Sequence, residues 1–304
     1  MRIGLGLAAL GRPGYLNLGH ADDLGPDRSV DALRRHAHGV LDAAYEGGVR
    51  AFDVARSYGR AEEFLGEWLN SRRPERVTVS SKWGYVYTAN WRVDAAEPEI
   101  KRHDAETLRR QLGETRERLG NWLALYQIHS ATPDSGVLED DEVLGELAAL
   151  RADGLAVGVT VSGTSQSETL DRALRLGLFD AVQATWNLRE RAAEEALARS
   201  HAAGVPVYVK EALANGRLAG REPAPQLEAA AADAGTTPDA LALAAVLARP
   251  WAHVVLSGAA TAETLRENLC ADEIPWSVEL ERRLTPMKEE SSAYWARRTE
   301  LAWT

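Results

Sequence analysis

The chain has 304 residues, of which 45% are hydrophobic and 26% are charged, a composition typical of a soluble globular protein with a sizeable core. Its formal net charge is -10, from 45 acidic and 35 basic residues, which argues against a general binder of nucleic acids or anionic membranes. The only cysteine is Cys270, so an intrachain disulfide is excluded.

No segment of the sequence indicates secretion or membrane insertion. The apolar start, Met1 to Leu10, contains one arginine and is followed by Arg12-Pro13-Gly14 instead of a cleavage-like segment. The longest apolar helical run, Ala240 to Ala248, is far shorter than the roughly 20 residues that span a bilayer. Together with the single cysteine, these features lead us to expect a cytoplasmic protein.

Strand-like and helix-like segments alternate along the chain. The apolar runs of strand length are Gly4–Leu10, Arg50–Ala55, Val77–Lys82, Leu123–His129, Val157–Ser162, Ala181–Trp186, Val205–Lys210 and His253–Ser257. Amphipathic stretches of helical length lie between them, for example Val30–Glu46, Ala105–Leu119, Glu142–Arg151 and Glu190–Ala202. The alternation predicts an α/β fold with the parallel sheet closed as a (β/α)8 TIM barrel; an open doubly wound sheet is the alternative.

The stretches between these elements predict one domain over residues 1–304 with long rim loops. No low-complexity linker divides the sequence, and longer irregular stretches occur at 11–28, 83–103 and 213–225. Ser165, with a glutamate three residues later, has the pattern of a capping box, and Thr237-Pro238 has that of a helix start. The C-terminal segment, which contains Trp295 and Trp303, is expected to fold over one mouth of the barrel.

Ionisable residues stand at the ends of three predicted strands. Asp53, Lys82 and His129 lie at or next to the carboxyl ends of apolar runs, and Tyr58 follows shortly after Asp53. In a barrel of alternating strands and helices, that rim is where the chemistry takes place. An Asp, a Tyr, a Lys and a His gathered there predict a proton-handling site, although a structural ion pair of Asp53 with Lys82 is an alternative for those two residues.

The same segments resemble those of a known family. Phe52-Asp53-Val54-Ala55-Arg56-Ser57-Tyr58-Gly59 resembles the Asp-Thr-Ala-x-x-Tyr-Gly segment of aldo-keto reductases. Other segments match further signatures of that family in the same order, namely Ser80-Ser81-Lys82, Gln127-Ile128-His129, Gln183-Ala184-Thr185-Trp186-Asn187, and then Gly258, Glu267 and Asn268. The resemblance covers nearly the whole chain. It implies an NAD(P)H-dependent oxidoreductase that reduces an aldehyde or ketone to an alcohol, or catalyses the reverse reaction.

The resemblance implies that Tyr58 is the general acid/base, with Lys82, Asp53 and His129 in supporting roles. A tyrosine suits the protonation of a developing alkoxide if its pKa, about 10 when unperturbed, is lowered. We expect the ammonium of Lys82 to lower that pKa, and Asp53 to keep Lys82 charged and oriented. His129 would donate a hydrogen bond to the substrate oxygen.

The resemblance also implies a nicotinamide dinucleotide, bound without a Gly-rich Rossmann fingerprint. Gln183 is implied to contact the nicotinamide carboxamide, and the further implied cofactor residues are Ser162, Lys210, Leu213, Gly258, Glu267 and Asn268. Strand seven departs from the family, because Lys210-Glu211-Ala212-Leu213 stands where Tyr-Ser-Pro-Leu is common. Lys210 cannot stack on the nicotinamide as a ring does, so Trp186 or another ring is expected to substitute. The alternative for Lys210 itself is a pair with Glu211 or another carboxylate at the rim.

A further departure concerns the phosphate on the adenosine ribose. Gly258, Ala259 and Thr264 occupy positions where many NADP-dependent members carry Lys, Ser and Arg. Arg217 and Arg221 lie in the loop after strand seven, where barrels often bind phosphate, and are expected to compensate. NADP(H) is therefore the expected cofactor, with NAD(H) as the alternative.

Aromatic residues give the only indication of the substrate. Trp83, Tyr85 and Trp186 are the candidates for contact with a bulky carbonyl or alcohol, although packing of a long loop explains them equally well. No histidine spacing predicts a metal site, and a small molecule is the expected partner. Two other functions stay open, namely a non-catalytic nucleotide-binding regulatory or interaction subunit and a Schiff-base lyase or aldolase barrel using Lys82 or Lys210.

Overall fold

The computed structural model describes residues 1–304, and eight of its strands form a closed parallel barrel. These strands are β1 (Ile3–Gly6), β2 (Ala51–Asp53), β3 (Thr78–Trp83), β6 (Leu123–Ala131), β7 (Ala156–Val161), β8 (Ala181–Thr185), β9 (Val207–Lys210) and β10 (Val254–Ser257), while β4 (Tyr85–Tyr87) and β5 (Glu99–Lys101) form a separate antiparallel hairpin. The first strand pairs with both β2 and β10, which closes the sheet. The predicted TIM barrel is confirmed, and the alternative of an open sheet is wrong.

Helices follow the strands and pack on one another around the barrel. They are α1 (His20–Leu24), α2 (Val30–Glu46), α3 (Ala61–Arg72), α4 (Ala105–Leu119), α5 (Asp141–Ala152), α6 (Gln166–Leu176), α7 (Glu194–Ala202), α8 (Pro225–Asp233), α9 (Pro238–Leu247), α10 (Ala262–Leu269), α11 (Val278–Leu284) and α12 (Ser291–Thr299). The predicted bounds of α2 and α4 are confirmed to the residue, whereas α7 begins later than the predicted Glu190. None of the helices is both long and apolar enough to cross a membrane.

Alternation along each strand separates the barrel interior from the layer beneath the helices. On β6, Tyr126 and Ile128 pack in the large apolar core shared with the helices, whereas Leu125 belongs to a small separate cluster with residues of β8, β9 and β10. Because side chains along a strand alternate between its two faces, Gln127 and His129 follow Leu125 into the interior. The interior is therefore apolar at one end and polar at the carboxyl end of the strands, where the candidate site lies.

The loops at the carboxyl end are more ordered than the sequence predicts. The stretch 83–103, predicted to be irregular, contains the β4–β5 hairpin, and 11–28 contains α1. Thr237 caps α9 as predicted, but the capping box at Ser165 is wrong, because the Ser165 side chain makes no capping hydrogen bond. The C-terminal segment folds over this end as predicted, and the backbones of Thr304 and Tyr15 exchange two hydrogen bonds of 3.0 and 3.1 Å.

Candidate active site

The strand ends bring Asp53, Lys82, Tyr58 and His129 together at one end of a cavity. Lys82 is only 1% exposed, and its Nζ donates to the Asp53 carboxylate, to the Val54 carbonyl at 3.0 Å and towards the Tyr58 hydroxyl at 3.5 Å. The ammonium therefore lies between the carboxylate and the phenol, as the sequence predicts.

Three neutral donors also hold the Asp53 carboxylate. Ser80 donates to it at 2.6 Å, Gln127 at 3.3 Å and Gln183 at 3.2 Å. These contacts come from three different strands, so the carboxylate is fixed at the floor of the site. Gln183 lines the cavity, but its amide nitrogen is engaged by Asp53. Its amide oxygen has no such partner and is free to accept a hydrogen bond from a ligand.

Two facing glycines fix the loop that carries Tyr58. Gly59 has a φ of 61°, and a Cβ there would come within 2.4 Å of the Gly11 carbonyl oxygen. A Cβ on Gly11 would in turn come within 2.2 Å of the Tyr58 carbonyl oxygen. The loops after β1 and β2 therefore touch backbone to backbone, which only glycine permits at these positions.

The expectation that Lys82 lowers the pKa of Tyr58 is wrong for the isolated protein. Burial raises the pKa of the Tyr58 phenol well above its usual value, and the negative charge of Asp53 adds to that effect. Because Asp53 neutralises Lys82 at close range, the pair produces little net field to stabilise a phenolate. The consequence is a protonated phenol, which is the form that donates a proton.

His129 is held neutral beside that phenol. Burial lowers the pKa of His129 well below 6.5, and the charges of Lys82 and Lys210 lower it further. The His129 ring lies edge-on to Tyr58 with 5.5 Å between ring centroids, and Ser57 Oγ lies 3.5 Å from Nδ1. A proton on Nε2 is compatible with this contact, and that tautomer can donate a hydrogen bond without carrying charge.

Arg12 is a site residue that sequence reasoning missed. It is 1% exposed, lines the cavity, and stacks its guanidinium on the rings of Tyr15, Tyr58 and Trp303 at 4.7, 5.1 and 4.5 Å. Its Nη1 bonds Glu99 at 3.2 Å, whereas its buried Nε has no partner. Its positive charge lowers the pKa of Tyr58, in opposition to burial. A single arginine in a long loop carries no signal that distinguishes it from a surface arginine.

The cavity measures about 1000 Å³ and extends from Tyr58 to the start of α10, which is large for a small-molecule site. Most of the predicted cofactor residues line it, namely Ser162, Gln183, Lys210, Leu213, Arg221, Gly258, Glu267 and Asn268. Tyr85, from the candidate substrate residues, also lines it. A long cavity with the proton-handling residues at one end and a helix start at the other is suited to a dinucleotide beside a small substrate.

Three predicted contacts do not reach this cavity. Trp83 and Trp186 are fully buried in the core shared with the helices, because each directly follows an inward-facing residue and therefore points outward. Arg217 is 5% exposed and forms ion pairs with Glu289 at 2.6 Å and Glu222 at 3.4 Å. The predictions that these residues contact substrate or cofactor are therefore wrong.

Lys210 is held by two hydroxyl groups at the end of β9. Its Nζ donates to Thr185 Oγ1 at 2.9 Å and to Ser162 Oγ at 3.1 Å, and it lies 3.9 Å from the Glu211 carboxylate. Glu211 in turn binds Arg298 of α12 at 2.5 Å. Burial lowers the pKa of Lys210 to about 8. Despite its own burial, Glu211 has a pKa lowered to about 2 by Arg298 and Lys210.

The far end of the cavity is acidic. Gly258, Ala259 and Thr264 line it without a cation, whereas Asp239 and Glu267 contribute carboxylates. Burial raises the pKa of Glu267, and the neighbouring acidic groups raise it further. Arg221 lines the cavity nearby but binds Asp23 at 2.5 Å. Throughout the protein, no group of three or more His, Cys, Asp or Glu side chains is arranged to hold a metal ion.

Comparison with known proteins identifies the family. Residues 2–283 match the model of the Aldo/keto reductase family. The chain is 30% identical to an aldo-keto reductase from Gibberella moniliformis over 59% of its own length and half of that protein, and 24% identical to the NADH-specific methylglyoxal reductase of Escherichia coli over 89% of both. A D-threo-aldose 1-dehydrogenase from a Pseudomonas species is 26% identical over 62% of both chains.

Solved structures agree with this result. The fold matches a putative aldo-keto reductase from Pseudomonas aeruginosa with a TM-score of 0.66 and 26% identity, over 90% of this chain and 91% of the other. It also matches the fold of an aldo-keto reductase from Bacillus halodurans in its holo form, with a TM-score of 0.72 and 20% identity, over 94% and 91%. The chain therefore belongs to the aldo/keto reductase family of NAD(P)-dependent oxidoreductases.

Proposed function

We propose that this protein reduces a small aldehyde or ketone to an alcohol, or catalyses the reverse oxidation, with Tyr58 as the general acid/base. The observation that carries the proposal is the Lys82 ammonium, held by Asp53 and 3.5 Å from the Tyr58 hydroxyl at one end of the cavity. Neutral His129 stands beside that hydroxyl. Such a set is suited to moving one proton to or from a substrate oxygen.

Each residue has a separate task in this reaction. A nicotinamide dinucleotide, when bound, supplies the hydride. His129 donates a hydrogen bond to the substrate oxygen and fixes its position beside Tyr58. Tyr58, kept protonated by its burial, gives its proton to that oxygen as negative charge develops on it. Lys82 Nζ, 3.5 Å from the hydroxyl, is placed to donate a hydrogen bond to the phenolate that remains.

The charges along the cavity support NAD(H) as the cofactor, in place of the NADP(H) expected from the sequence. Arg217 is engaged by Glu289 and Glu222, and Arg221 by Asp23, so the expected compensating cations are occupied. Asp239 and Glu267 line the far end of the cavity and would repel a 2′-phosphate. A carboxylate instead suits the hydroxyls of an unmodified ribose. The similarity to an NADH-specific reductase from Escherichia coli is in line with this proposal.

The two alternatives from the sequence are less well supported. A Schiff-base amine must be neutral to attack a carbonyl, whereas Lys82 is held by Asp53 and a backbone carbonyl. The Lys210 ammonium donates to the hydroxyls of Thr185 and Ser162. A protein that only binds nucleotide has no need for a buried acid, cation and imidazole at the end of its cavity. Borohydride added with a carbonyl substrate should therefore trap no adduct of the protein.

The test of this function has two steps. Fluorescence titration should first show saturable binding of NADH, with weaker binding of NADPH. A panel containing methylglyoxal, aldoses and aromatic aldehydes should then give cofactor oxidation with at least one compound. Binding without turnover on a broad panel would favour the non-catalytic alternative, and an adduct trapped on Lys82 or Lys210 would favour the Schiff-base alternative.

A further inference from the structure

Lys210 places a positive charge in the cavity, at the carboxyl end of β9. It ends β9, and its side chain is 15% exposed and lines the cavity. Thr185 pairs with Lys210 across the neighbouring strand β8. Ser162 directly follows β7, which is the next strand beyond β8. Both hydroxyls bind the ammonium, so its position is fixed by two strands.

The Lys210 ammonium retains one donor for a ligand. An ammonium group has three N–H donors, and two of them are used by Thr185 Oγ1 and Ser162 Oγ. The nearest carboxylate oxygen, on Glu211, lies at 3.9 Å, which is beyond hydrogen-bond distance. Because the side chain lines the cavity, the remaining donor is available to a ligand there.

The charges around Lys210 do not cancel. Lys82 and Asp53 form a neutral pair, and Glu211 is the one carboxylate shared by Lys210 and Arg298. Two cations therefore share one anion, which leaves one net positive charge beside the cavity floor. Arg298 holds Glu211 at 2.5 Å, so the cation left without close compensation is Lys210.

We propose that the Lys210 ammonium contacts the nicotinamide group of the bound dinucleotide and makes the site bind the reduced cofactor more tightly than the oxidised one. This inference rests on the proposed function, because it places the nicotinamide at the end of the cavity near Tyr58. Gln183 and Lys210 are on adjacent strands there, and both line the cavity. They provide an amide oxygen and an ammonium on one side of the substrate position.

The physical basis is the charge difference between the two forms of the ring. The oxidised nicotinamide ring is a cation and the reduced ring is neutral, so a fixed ammonium repels only the oxidised form. Two unit charges about 5 Å apart at an effective dielectric constant of about 20 change an affinity by about two orders of magnitude. Glu211 offsets part of this repulsion, and we expect at least a ~10-fold effect on the affinity ratio.

The test compares dissociation constants, with no turnover required. NADH and NAD+ are titrated by calorimetry or fluorescence into the parent protein, Lys210→Met and the control Lys101→Met. Lys101 also lines the cavity, but it is an exposed residue at the end of the half-buried β4–β5 hairpin, so solvent screens its charge more than that of Lys210. Lys210→Met should reduce the preference for NADH at least ~10-fold, and Lys101→Met should change it much less.

A pH series on the parent protein provides a test that needs no variant. The charged groups facing Lys210 are Glu211, Arg298, Lys82 and Asp53, and the titratable but neutral His129 also lies nearby. The pKa of Lys210 is lowered by burial to about 8, whereas that of Glu211 is about 2 and that of His129 is well below 6.5. The ratio of NADH affinity to NAD+ affinity should therefore be largest below pH 7. It should decline as pH rises through 8, because Lys210 loses its charge there.

The outcomes separate this inference from the proposed function. An unchanged affinity ratio in Lys210→Met, together with no decline of the parent ratio above pH 8, would overturn the inference. If the Met variant fails to fold, Lys210→Gln replaces it, since it removes the charge and keeps a donor for Thr185 and Ser162. If the parent protein binds none of NADH, NAD+, NADPH and NADP+, the proposed function itself would be overturned.

Discussion

Removing one partner of the Lys82–Asp53 ion pair should destabilise the protein more than removing both partners. The two residues are 1% and 3% exposed, so neither charge is solvated once its partner is removed. Removing one member of a buried pair costs about 3–5 kcal/mol, because an uncompensated charge stays in the interior. Lys82→Met is the direct form of this perturbation, since the methionine fills similar space without charge.

The contacts of Asp53 place the expected loss at the lower end of that range. Ser80, Gln127 and Gln183 continue to donate to the carboxylate after Lys82 is replaced. We therefore expect a loss of about 3 kcal/mol, or roughly 6 °C in Tm for a chain of this size. The double variant Lys82→Met/Asp53→Asn removes both charges and should recover at least half of this loss.

Thermal unfolding followed by circular dichroism measures these differences, and kcat on a substrate from the panel measures the catalytic effect. Lys82→Met, Asp53→Asn and the double variant should all lose activity, with the double variant little worse than Lys82→Met, because residues that act as one unit are strongly non-additive. Lys101→Met serves as the control for removing a lysine from a more exposed position. A Tm loss in the double variant equal to the sum of the single losses would refute the reasoning.

Three further predictions concern cofactor choice, the Tyr58 environment and acid stability. Glu267→Lys should tighten NADPH binding at least ~10-fold in fluorescence titrations and weaken NADH binding; changes of both affinities in the same direction would contradict the role assigned to the acidic end of the cavity. Arg12→Met removes a charge that lowers the pKa of Tyr58, so the pH profile of kcat for alcohol oxidation should move up by about one unit. Burial lowers the pKa of His20 and His103 from 6.5 to about 4, so stability should be full above pH 6.5. Below pH 6.5 the free energy of unfolding should fall by up to about 1.4 kcal/mol per pH unit for each histidine. In His103→Gln the Tm should decline less steeply with falling pH, because one of the two histidines is gone.

The sequence predicts the barrel and the central residues because both depend on local patterns. Apolar runs of strand length alternate with amphipathic stretches, and this periodicity determines which segments are strands. The carboxyl ends of parallel strands meet at one rim, so Asp53, Lys82 and His129 could be placed together from their positions alone. The helix bounds of α2 were also predictable, since its buried leucines and alanines recur at helical spacing.

Which face of a strand a side chain occupies could not be predicted where the pattern is apolar on both faces. Trp83 and Trp186 directly follow residues that face the interior, and a shift of one residue puts them in the outer core. Arg217 differs because its ion pairs are with Glu222 and Glu289, of which Glu289 is far away in sequence.

The electrostatic environment of Tyr58 could not be predicted from the sequence either. The expected lowering of its pKa by Lys82 ignored how closely Asp53 neutralises that ammonium. Burial then dominates and raises the pKa. Arg12 was missed because its aromatic partners come from distant parts of the chain, including Trp303 near the C-terminus. These properties depend on tertiary distances, for which a single sequence carries no periodic signal.

The central claim is that Tyr58 donates the proton, and the Tyr58→Phe variant tests it most directly. The exchange removes only the hydroxyl that lies 3.5 Å from Lys82 Nζ and keeps the ring beside Arg12 and His129. The measurement is kcat for carbonyl reduction at saturating cofactor, together with the dissociation constant of NADH for the same preparation. We predict that kcat falls by at least ~100-fold while NADH affinity changes by less than about twofold. A kcat within about threefold of the parent would contradict the assignment, because a general acid contributes far more than that.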